Sequence, residues 1–279
     1  MESNQKVAIV TGSSSGIGLE SALLLARNGY TTYATMRSPE KGTLIEIAVQ
    51  KENLSLKVIQ LDVTNDNSVK NAIDQIISEA GRIDILVNNA GYGLSGALED
   101  LSIEEIKAQF ETNLFGLIRV TQSVLPTMRK QQSGRILNLS SGAGIFGYPT
   151  GSAYVSTKFA VEGLSECIAY ELEPFGIKVI LIEPGFIKTN FSNASVRARR
   201  AQDPASPYAG MMQKIMSATR ELAENASTAE LVANTILDAA TNPNPRFRYL
   251  VGKDVESWAA SKKEMGDLEF FNMIKKIAT

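Results

Sequence analysis

Tyr154 and Lys158 lie four residues apart, and Ser141 lies thirteen residues before the tyrosine. Four residues along a helix place two side chains on one face, where a lysine ammonium favours the phenolate form of a neighbouring tyrosine. Such a cation is needed because a phenol with an ordinary pKa near ~10 is a poor base at neutral pH. The three residues predict proton transfer at an alcohol or carbonyl oxygen that the Ser141 hydroxyl holds beside Tyr154. Taken alone, the Tyr-x-x-x-Lys pair is also common on helix surfaces.

A glycine-rich turn near the N-terminus has the composition of a phosphate-binding loop. It follows an apolar strand and precedes a helix, so backbone N–H groups and the positive end of the helix can face a pyrophosphate. The spacing is Gly-x-x-x-Gly-x-Gly rather than the longer dinucleotide fingerprint, and a plain strand-to-helix turn stays the alternative. The cofactor contacts predicted in this turn are Gly12, Ser14, Ser15, Gly16, Ile17 and Gly18.

The residue after the second predicted strand indicates which dinucleotide is bound. The strand ends at Met36-Arg37, with no carboxylate where an NAD enzyme holds the ribose hydroxyls. A guanidinium pairs with a 2′-phosphate through charge-assisted hydrogen bonds. Arg37 therefore predicts NADP(H) in preference to NAD(H), the alternative being an ordinary surface arginine.

Residue counts exclude several other chemistries. The 279 residues include no histidine and one cysteine, Cys167. This excludes a Ser-His-Asp hydrolase, a Cys-His protease and a zinc site made from histidine or cysteine, and we expect no metal. A lone cysteine forms no internal disulfide, which fits a reducing compartment. The 28 basic and 30 acidic side chains give a net charge of −2, so we expect neither nucleic acid nor an anionic membrane as a partner.

The chain has no segment that predicts export or membrane insertion. Its N-terminus lacks the apolar region of a signal peptide, and no uninterrupted apolar run reaches the length of a membrane helix. We expect a cytoplasmic protein with no membrane span.

Short apolar runs alternate with amphipathic helical stretches along most of the chain. This pattern predicts an α/β fold: one doubly wound, Rossmann-type domain over 1–279, with helices on both faces of a seven-stranded, mostly parallel sheet. The predicted strands are 7–10, 31–36, 56–61, 83–88, 135–139, 178–182 and 247–251. Asn28-Gly29 predicts the end of the first helix, and Ser102 to Glu105 and Ser227 to Glu230 predict capping boxes. A long helix is expected over 152–174.

Two segments stand outside this alternation. Residues 190–225 carry Pro204, Pro207 and three methionines, and we interpret them as a small, irregular cap over the substrate. Methionine adapts to irregular apolar surfaces, which favours an apolar substrate, although packing of the cap onto the body explains the methionines equally well. Residues 254–279 predict a helical tail that packs on its own domain or on a neighbouring subunit. The expected pocket walls are Tyr92, Leu94, Ser95, Phe146, Tyr148, Pro149, Phe191, Tyr208, Met211 and Met212.

Together the glycine turn and the Ser-Tyr-Lys set resemble the short-chain dehydrogenase/reductase family, over residues 5 to about 190. The segments 33–37 and 92–96 are most similar to the subgroup of 17β-hydroxysteroid and retinol dehydrogenases. The resemblance implies a homodimer or homotetramer that pairs through the outer face of the helix over 152–174.

The resemblance also implies further site residues. Asn113 becomes a fourth catalytic position that holds a water between Lys158 and solvent, and Lys158 also binds the cofactor ribose. Asp62 and Val63 lie on the adenine side. The other implied cofactor contacts are Asn89, Ala90, Gly91, Tyr154, Pro184, Gly185, Ile187 and Thr189.

The expected activity is NADP(H)-dependent interconversion of a carbonyl and an alcohol on a small molecule, with Tyr154 as acid and base. Two alternatives stay open: an epimerase or dehydratase on the same scaffold, and a binding protein that senses NADP(H) without turnover.

Overall fold

Seven parallel strands form the central sheet of the computed structural model, which describes residues 5–189, 191 and 195–277. Four two-residue strands lie outside this sheet. In chain order the strands are β1 Val7–Thr11, β2 Thr31–Met36, β3 Leu56–Gln60, β4 Ile85–Asn88, β5 Leu94–Ser95, β6 Gly134–Leu139, β7 Ile177–Pro184, β8 Ile187–Lys188, β9 Val196–Arg197, β10 Ser227–Thr228 and β11 Arg248–Val251. The seven predicted strands are confirmed, each bound lying within two residues of its expected position.

The described residues include ten α-helices. They are α1 Gly16–Arg27, α2 Thr43–Glu52, α3 Asp66–Ala80, α4 Ile103–Phe110, α5 Gly116–Gln131, α6 Ser152–Leu172, α7 Ala209–Glu224, α8 Ala229–Thr241, α9 Lys253–Glu264 and α10 Asp267–Lys275. A π-helical turn, Glu111–Phe115, joins α4 to α5, and a 3-10 turn, Gly142–Gly144, follows β6.

The sheet has the strand order β11-β7-β6-β4-β1-β2-β3, with every neighbouring pair parallel. From β1 the chain builds outward to β2 and β3, and it then returns to place β4 on the other side of β1. In doubly wound sheets the crevice for a ligand opens at the carboxyl ends of the strands at such a reversal. The topology therefore predicts a ligand crevice between the loops after β1 and β4.

Two apolar layers cover the sheet. Helices α1 and α8 bury Leu25 and Ile236 on one face, while α3 and α5 bury Ile76 and Val124 on the other. Strand β1 is buried at all five positions, as expected for a strand covered on both faces. This burial makes the sheet a rigid platform for the loops at its carboxyl edge.

Two of the three predicted helix boundaries are confirmed. Helix α1 ends at Asn28, and the following Gly29 has a φ of 83°. The capping box that begins α4 is complete between Ser102 and Glu105.

The third predicted boundary was wrong by one residue. Thr228, not Ser227, begins α8, and its hydroxyl accepts from the N–H of Leu231. Leu231 therefore occupies the third helical position, so no glutamate can return the capping bond there. Glu230 instead lies in the first turn, where its negative charge favours the helix N-terminus.

The segment predicted to be an irregular cap is partly regular in its described residues. Strand β9 pairs with β5, and α7 extends over 16 residues. Positions 190 and 192–194 lie outside the described residues. Pro204 and Pro207 both precede α7 and do not interrupt it. The prolines suggested an irregular segment, so the helix that follows them was not predicted from the sequence. The Tyr208 hydroxyl donates to Glu99 at 2.9 Å and fastens the start of α7 to the body.

The predicted tail packs on its own domain. Trp258 of α9 and Phe270 of α10 each contact Phe146, with ring centroids 5.3 Å and 5.6 Å apart. Ile274 completes the cluster, whereas Phe271 is 62% exposed. Phe146, an expected wall of the pocket, thus supports the tail. Over the residues described, no helix is both long enough and apolar enough to cross a membrane.

The paired phenylalanines of α10 provide a stability test. Phe270→Ala should lower the free energy of unfolding by about 3 kcal/mol, since it removes a buried ring from the cluster with Phe146. Phe271→Ala, the matched control on the exposed side, should change it by less than about 0.5 kcal/mol. Equal effects in denaturant unfolding would contradict this packing of the tail.

Candidate active site

The glycine turn lies at the carboxyl end of β1 and leaves no room for side chains. A Cβ on Gly12 would lie 2.8 Å from the Cα of Ala90, and one on Gly18 would lie 2.5 Å from the Asn89 side-chain nitrogen. Gly12 and Gly16 also have φ angles of 68° and 59°, in the left-handed region. Glycine is therefore required here by both contact and backbone angle.

The start of α1 fits a phosphate group. Ser15 precedes the helix in extended conformation, and its side chain does not cap the helix. The first turn, which includes Gly16, Ile17 and Gly18, contains no acidic residue. Uncapped N–H groups and the helix dipole together favour an anion at this position. Ser14 and Ser15, predicted contacts, border this end of the helix.

Polar contacts join the glycine turn to the end of β4. The Thr11 hydroxyl accepts from the N–H groups of Asn89 and Ala90, at 3.0 Å and 3.1 Å. The Asn89 amide donates to the carbonyls of Thr11 and Gly12, at 2.8 Å and 3.1 Å. Asn89 and Ala90 thus form the second wall of the crevice opposite the turn.

The two predicted adenine-side residues already have partners within the protein. One oxygen of Asp62 accepts from the N–H and hydroxyl of Thr64, at 2.9 Å and 2.7 Å. The Val63 carbonyl accepts from Arg119 at 2.6 Å. Both of the Thr64 bonds use the same Asp62 oxygen, so the other oxygen can accept from an adenine amino group. Contact by Asp62 and Val63 stays a prediction.

Arg37 projects from the end of β2, next to the glycine turn. The turn is tied to this strand because the Ser13 N–H donates to the Thr35 carbonyl at 3.0 Å. Arg37 is exposed, and within the described residues its guanidinium has no hydrogen bond or ion pair. A phosphate beside the turn would thus meet an uncommitted guanidinium.

The loop after β7 closes the crevice on a third side. A Cβ on Gly16 would lie 3.2 Å from the Thr189 Cβ, so Thr189 faces the glycine turn. Asp254 of α9 holds the loop, since its carboxylate accepts from the Phe186 N–H at 2.7 Å and occupies the space beside Gly185. Pro184 is buried at the end of β7, and Ile187 packs against the core. The tail helix thereby supports a predicted cofactor segment.

Tyr154, Lys158 and Ser141 come together at the start of α6. The Lys158 ammonium lies 5.7 Å from the centre of the Tyr154 ring and donates to the Leu139 carbonyl at 2.7 Å. The Ser141 hydroxyl lies near enough to the phenol to favour its ionised form, and it accepts from the Ala143 N–H at 3.1 Å. The three side chains thus meet beside the end of β6.

Burial controls the protonation of this set more strongly than the charge of the lysine. It raises the pKa of Tyr154 to about 12, against the Ser141 hydrogen bond that favours the phenolate. Burial also lowers the pKa of Lys158 to about 8, while the Glu162 charge opposes it. The sequence predicts that Lys158 lowers the pKa of the phenol, whereas burial shifts that pKa in the opposite direction. Such a group is suited to proton donation.

Asn113 lies within the π-helical turn Glu111–Phe115. Its amide oxygen accepts from the Tyr92 N–H at 3.1 Å, and its nitrogen donates to the Tyr92 carbonyl at 2.9 Å and the Thr157 hydroxyl at 3.3 Å. Gly91 packs against the same amide. π-Turns are frequent at functional sites, and this one links the loop after β4 to α6. The role of Asn113 in holding a water stays a prediction.

The expected pocket walls divide between the site and other contacts. Phe191 lies near Tyr154, with ring centroids 6.0 Å apart, and Tyr148 packs over the backbone of Gly151. Leu94 is buried against the segment after β9, and Met212 is buried on α7. Thr150 has a φ of 66°, which is strained for a β-branched residue and lies just before the catalytic helix.

A buried polar network beneath the site was missing from the sequence predictions. The Asn88 side chain donates to Thr121 and Asn138 at 2.9 Å each, and Asn138 donates to Ser165 at 2.9 Å. Asparagines inside otherwise apolar strands were the available signal, since buried amides require partners. The network ties β4, β6, α5 and α6 together.

The buried glutamates near Lys158 were also missed. Glu162 is four residues after Lys158, and Glu183 stands in the apolar strand β7. Both carboxylates face Arg248 of β11. The first could have been found by extending the four-residue spacing from Tyr154 through Lys158.

Known proteins are similar to this chain over most of its length. The family described as short chain dehydrogenase matches residues 6–200. The 3-ketodihydrosphingosine reductase of Bacteroides thetaiotaomicron is 37% identical over 260 residues, which are 92% of each chain. Retinol dehydrogenase 8 of Bos taurus is 36% identical over 252 residues, covering 87% of this chain and 80% of that protein.

Solved structures share the fold over nearly the whole length. A short-chain dehydrogenase from Streptomyces avermitilis has a TM-score of 0.84 and 32% identity, over 99% of this chain and 98% of that one. ElxO, solved with NADP bound, has a TM-score of 0.74 and 30% identity, over 91% of this chain and 99% of that one.

The contact at Gly18 gives a test of the turn. Gly18→Ala should lower the free energy of unfolding by about 1–3 kcal/mol, because the added methyl group meets Asn89 and the Gly12 carbonyl. Gly163→Ala is the matched control, since a Cβ there meets nothing within 4 Å and alanine favours a helix. Denaturant unfolding measures both. A neutral Gly18→Ala would contradict the close approach of the turn to the β4 loop.

Proposed function

Because the chain belongs to the short-chain dehydrogenase/reductase family, we propose that it is an NADP(H)-dependent oxidoreductase that interconverts a carbonyl and an alcohol. The observation that carries this proposal is the position of the half-buried Tyr154 phenol, which lies near the Ser141 hydroxyl and has the Lys158 ammonium 5.7 Å from its ring centre. The membership itself establishes an oxidoreductase. The direction of the reaction, the cofactor choice and the roles of the residues are our inference.

The chain's own residues account for the proton in this reaction. NADPH, when bound, supplies the hydride. Ser141 orients the carbonyl oxygen, and Tyr154 gives it the phenolic proton as the carbonyl becomes an alcohol. The Lys158 ammonium stabilises the phenolate that remains. In alcohol oxidation the phenolate takes the hydroxyl proton back.

Several features support binding of a dinucleotide in the crevice between β1 and β4. The glycine turn and α1 would hold the pyrophosphate, and Asn89, Ala90 and Gly91 would line the opposite wall. Thr189 and Ile187 would close over the nicotinamide end, with Lys158 at the ribose. The free guanidinium of Arg37 supports NADP(H) in preference to NAD(H).

An apolar substrate is supported by the cap and by the relatives. Phe191 and Met211, both partly exposed, lie in the predicted cap segment, and the Phe191 ring centre is 6.0 Å from that of Tyr154. The named relatives act on 3-ketodihydrosphingosine and retinol, which are both lipids. We therefore propose an apolar ketone, aldehyde or alcohol as the substrate class.

A homodimer or homotetramer is also proposed. Phe159 and Tyr170 are exposed along α6, and Phe115 is exposed just before α5. Large apolar side chains exposed on helix surfaces favour burial against a second copy. The cytoplasmic location stays a prediction from the sequence.

Removal of one hydroxyl tests the catalytic role of Tyr154. Tyr154→Phe should reduce turnover by about 10²–10⁴-fold, since general acid–base catalysis contributes that much, and should leave NADPH affinity unchanged. NADPH oxidation with aldehydes, ketones, quinones and ketosteroids measures turnover. Tyr170→Phe, at an exposed position on the same helix, is the control. Tight NADPH binding without turnover on the whole panel would favour a nucleotide-sensing protein instead.

Cofactor choice is tested at Arg37. Arg37→Ala should weaken NADPH binding by about tenfold or more, because a charge-assisted hydrogen bond to the 2′-phosphate is lost, and leave NADH binding unchanged. Titration calorimetry gives both dissociation constants. Arg129→Ala, which removes an exposed arginine at the end of α5, controls for net charge. An unchanged affinity for NADPH would reject the assignment.

A further inference from the structure

A cluster of buried charges lies one helical turn beyond Lys158. Glu162 follows Lys158 on α6, and its Oε2 lies 3.2 Å from the Nε of Arg248. Glu183, from β7, places an oxygen 3.6 Å from the same nitrogen. The Glu162 and Glu183 side chains are only 11% and 3% exposed. Two largely buried carboxyl groups therefore share one guanidinium, whose own side chain is 40% exposed.

This arrangement accommodates one negative charge better than two. Burying a second unpaired carboxylate is costly, and neighbouring carboxylates disfavour each other's ionisation. Burial, reinforced by the Glu162 charge, raises the pKa of Glu183 to about 8. Burial also raises the pKa of Glu162, but Ser140 and Arg248 oppose that shift. The closer approach of Arg248 favours ionisation of Glu162, and the deeper burial of Glu183 favours the protonated form of Glu183.

The surroundings of Glu162 hold few other charges. Within the described residues, its own helix contributes Lys158 and Glu166, β7 contributes Glu183 and β11 contributes Arg248. Glu166 is largely exposed and accepts from Arg248 at 2.6 Å.

The turn after β6 adds only uncharged groups to this environment. Gly144 packs against the Glu162 side chain, and the Ser140 hydroxyl lies beside the same point. Neither the Ser140 hydroxyl nor Oε1 of Glu162 has a hydrogen bond of normal geometry within the described residues. The charge on Glu162 is therefore directed toward Arg248 and Lys158.

Lys158 connects this cluster to the reacting groups. Its ammonium donates to the carbonyl of Leu139, two residues before Ser141. Burial works against that ammonium, and the Glu162 carboxylate favours it. At neutral pH the charge state of Lys158 therefore depends on which member of the glutamate pair is ionised.

We propose that Glu162 and Glu183 form a proton-sharing pair, in which the ionised Glu162 is the positioning residue that keeps Lys158 as an ammonium. The catalytic meaning of this pair rests on the proposed oxidoreductase function. Neither glutamate touches the substrate oxygen in this proposal. Both act through Lys158, which in turn favours release of the Tyr154 proton.

Two isosteric variants separate the two members of the pair. Glu162→Gln removes the charge that favours the Lys158 ammonium and leaves the remaining charge on Glu183. The midpoint of Lys158 ionisation should then fall by roughly one pH unit. Glu183→Gln imitates the protonated carboxyl and leaves Glu162 ionised, so the midpoint should stay within roughly 0.3 units of the wild-type value. Glu171→Gln, on the exposed side of α6, is the control.

The direct measurement is a nuclear magnetic resonance titration of the full-length protein with lysine labelled at the ε-carbon. Lys158→Met identifies the Lys158 signal. A large shift in Glu162→Gln with little shift in Glu183→Gln supports the proposal. Equal shifts in the two variants, or no shift in either, overturn it.

A second measurement needs no variant that has to fold. Infrared spectra of the wild-type protein should contain the band of a buried protonated carboxyl at neutral pH, and that band should disappear as the pH rises through about 8. Absence of the band at neutral pH overturns the shared-proton assignment even if both variants are unstable.

Turnover then distinguishes this proposal from the proposed function. If the protein reduces carbonyls, the alkaline loss of turnover should follow the Lys158 midpoint, and Glu162→Gln should move that loss to lower pH. If the alkaline loss of turnover stays at the same pH while the Lys158 midpoint shifts, the catalytic role of the pair is overturned. If no carbonyl is reduced, the oxidoreductase proposal fails, and the lysine titration alone decides whether the pair holds the ammonium.

Discussion

The close approach of the β1 and β4 loops is the constraint on which the site depends. Thr11 and Asn89 bridge the loops with four hydrogen bonds, and the backbones meet where Gly12 and Gly18 have no space for a side chain. Because β1 and β4 are central parallel neighbours, this contact fixes the crevice at the reversal of strand order. The α1 N-terminus, Arg37 and the loop to Asn113 take their positions from it.

A second constraint is the low polarity around the start of α6. The same burial that raises the pKa of the Tyr154 phenol lowers that of the Lys158 ammonium, so both groups tend toward neutrality. Charge can persist there only where a partner is built in. Arg248 is the positive partner of Glu162, and Glu162 is the negative partner of Lys158. These pairs link the chemistry at the β6 end of the sheet to the edge strand β11.

The sequence predicted the framework well because buried parallel strands have a simple signature. Short, mostly apolar runs located all seven strands, and the Tyr-Lys spacing located two groups that do come together. Contacts between residues distant in the sequence, and the burial of individual side chains, could not be predicted from the sequence. The Val63 carbonyl is engaged by Arg119, 56 residues away along the chain, and the sign of the Tyr154 pKa shift depends on burial that spacing does not reveal.

Local sequence signals also gave wrong predictions where two interpretations fitted the same residues equally well. Prolines suggested an irregular cap, although they precede α7 rather than interrupt it, and Ser227 was preferred to Thr228 because Glu230 stands three residues after it. The π-helical turn around Asn113 has no recognised sequence signature. Each difference arises where tertiary contacts choose between local alternatives that the chain alone leaves nearly equal.

The position of β11 has a consequence for biosynthesis. The strand is the last of the sheet to be made, and it carries the only guanidinium that faces Glu162 and Glu183 among the described residues. While a ribosome still holds residues beyond 247, the strand β7 has an open edge and its glutamate has no countercharge. Domains fold as units once their strands are available. A nascent chain thus completes the environment of Lys158 only after β11 has emerged from the ribosome, and a product truncated before β11 has an incomplete site.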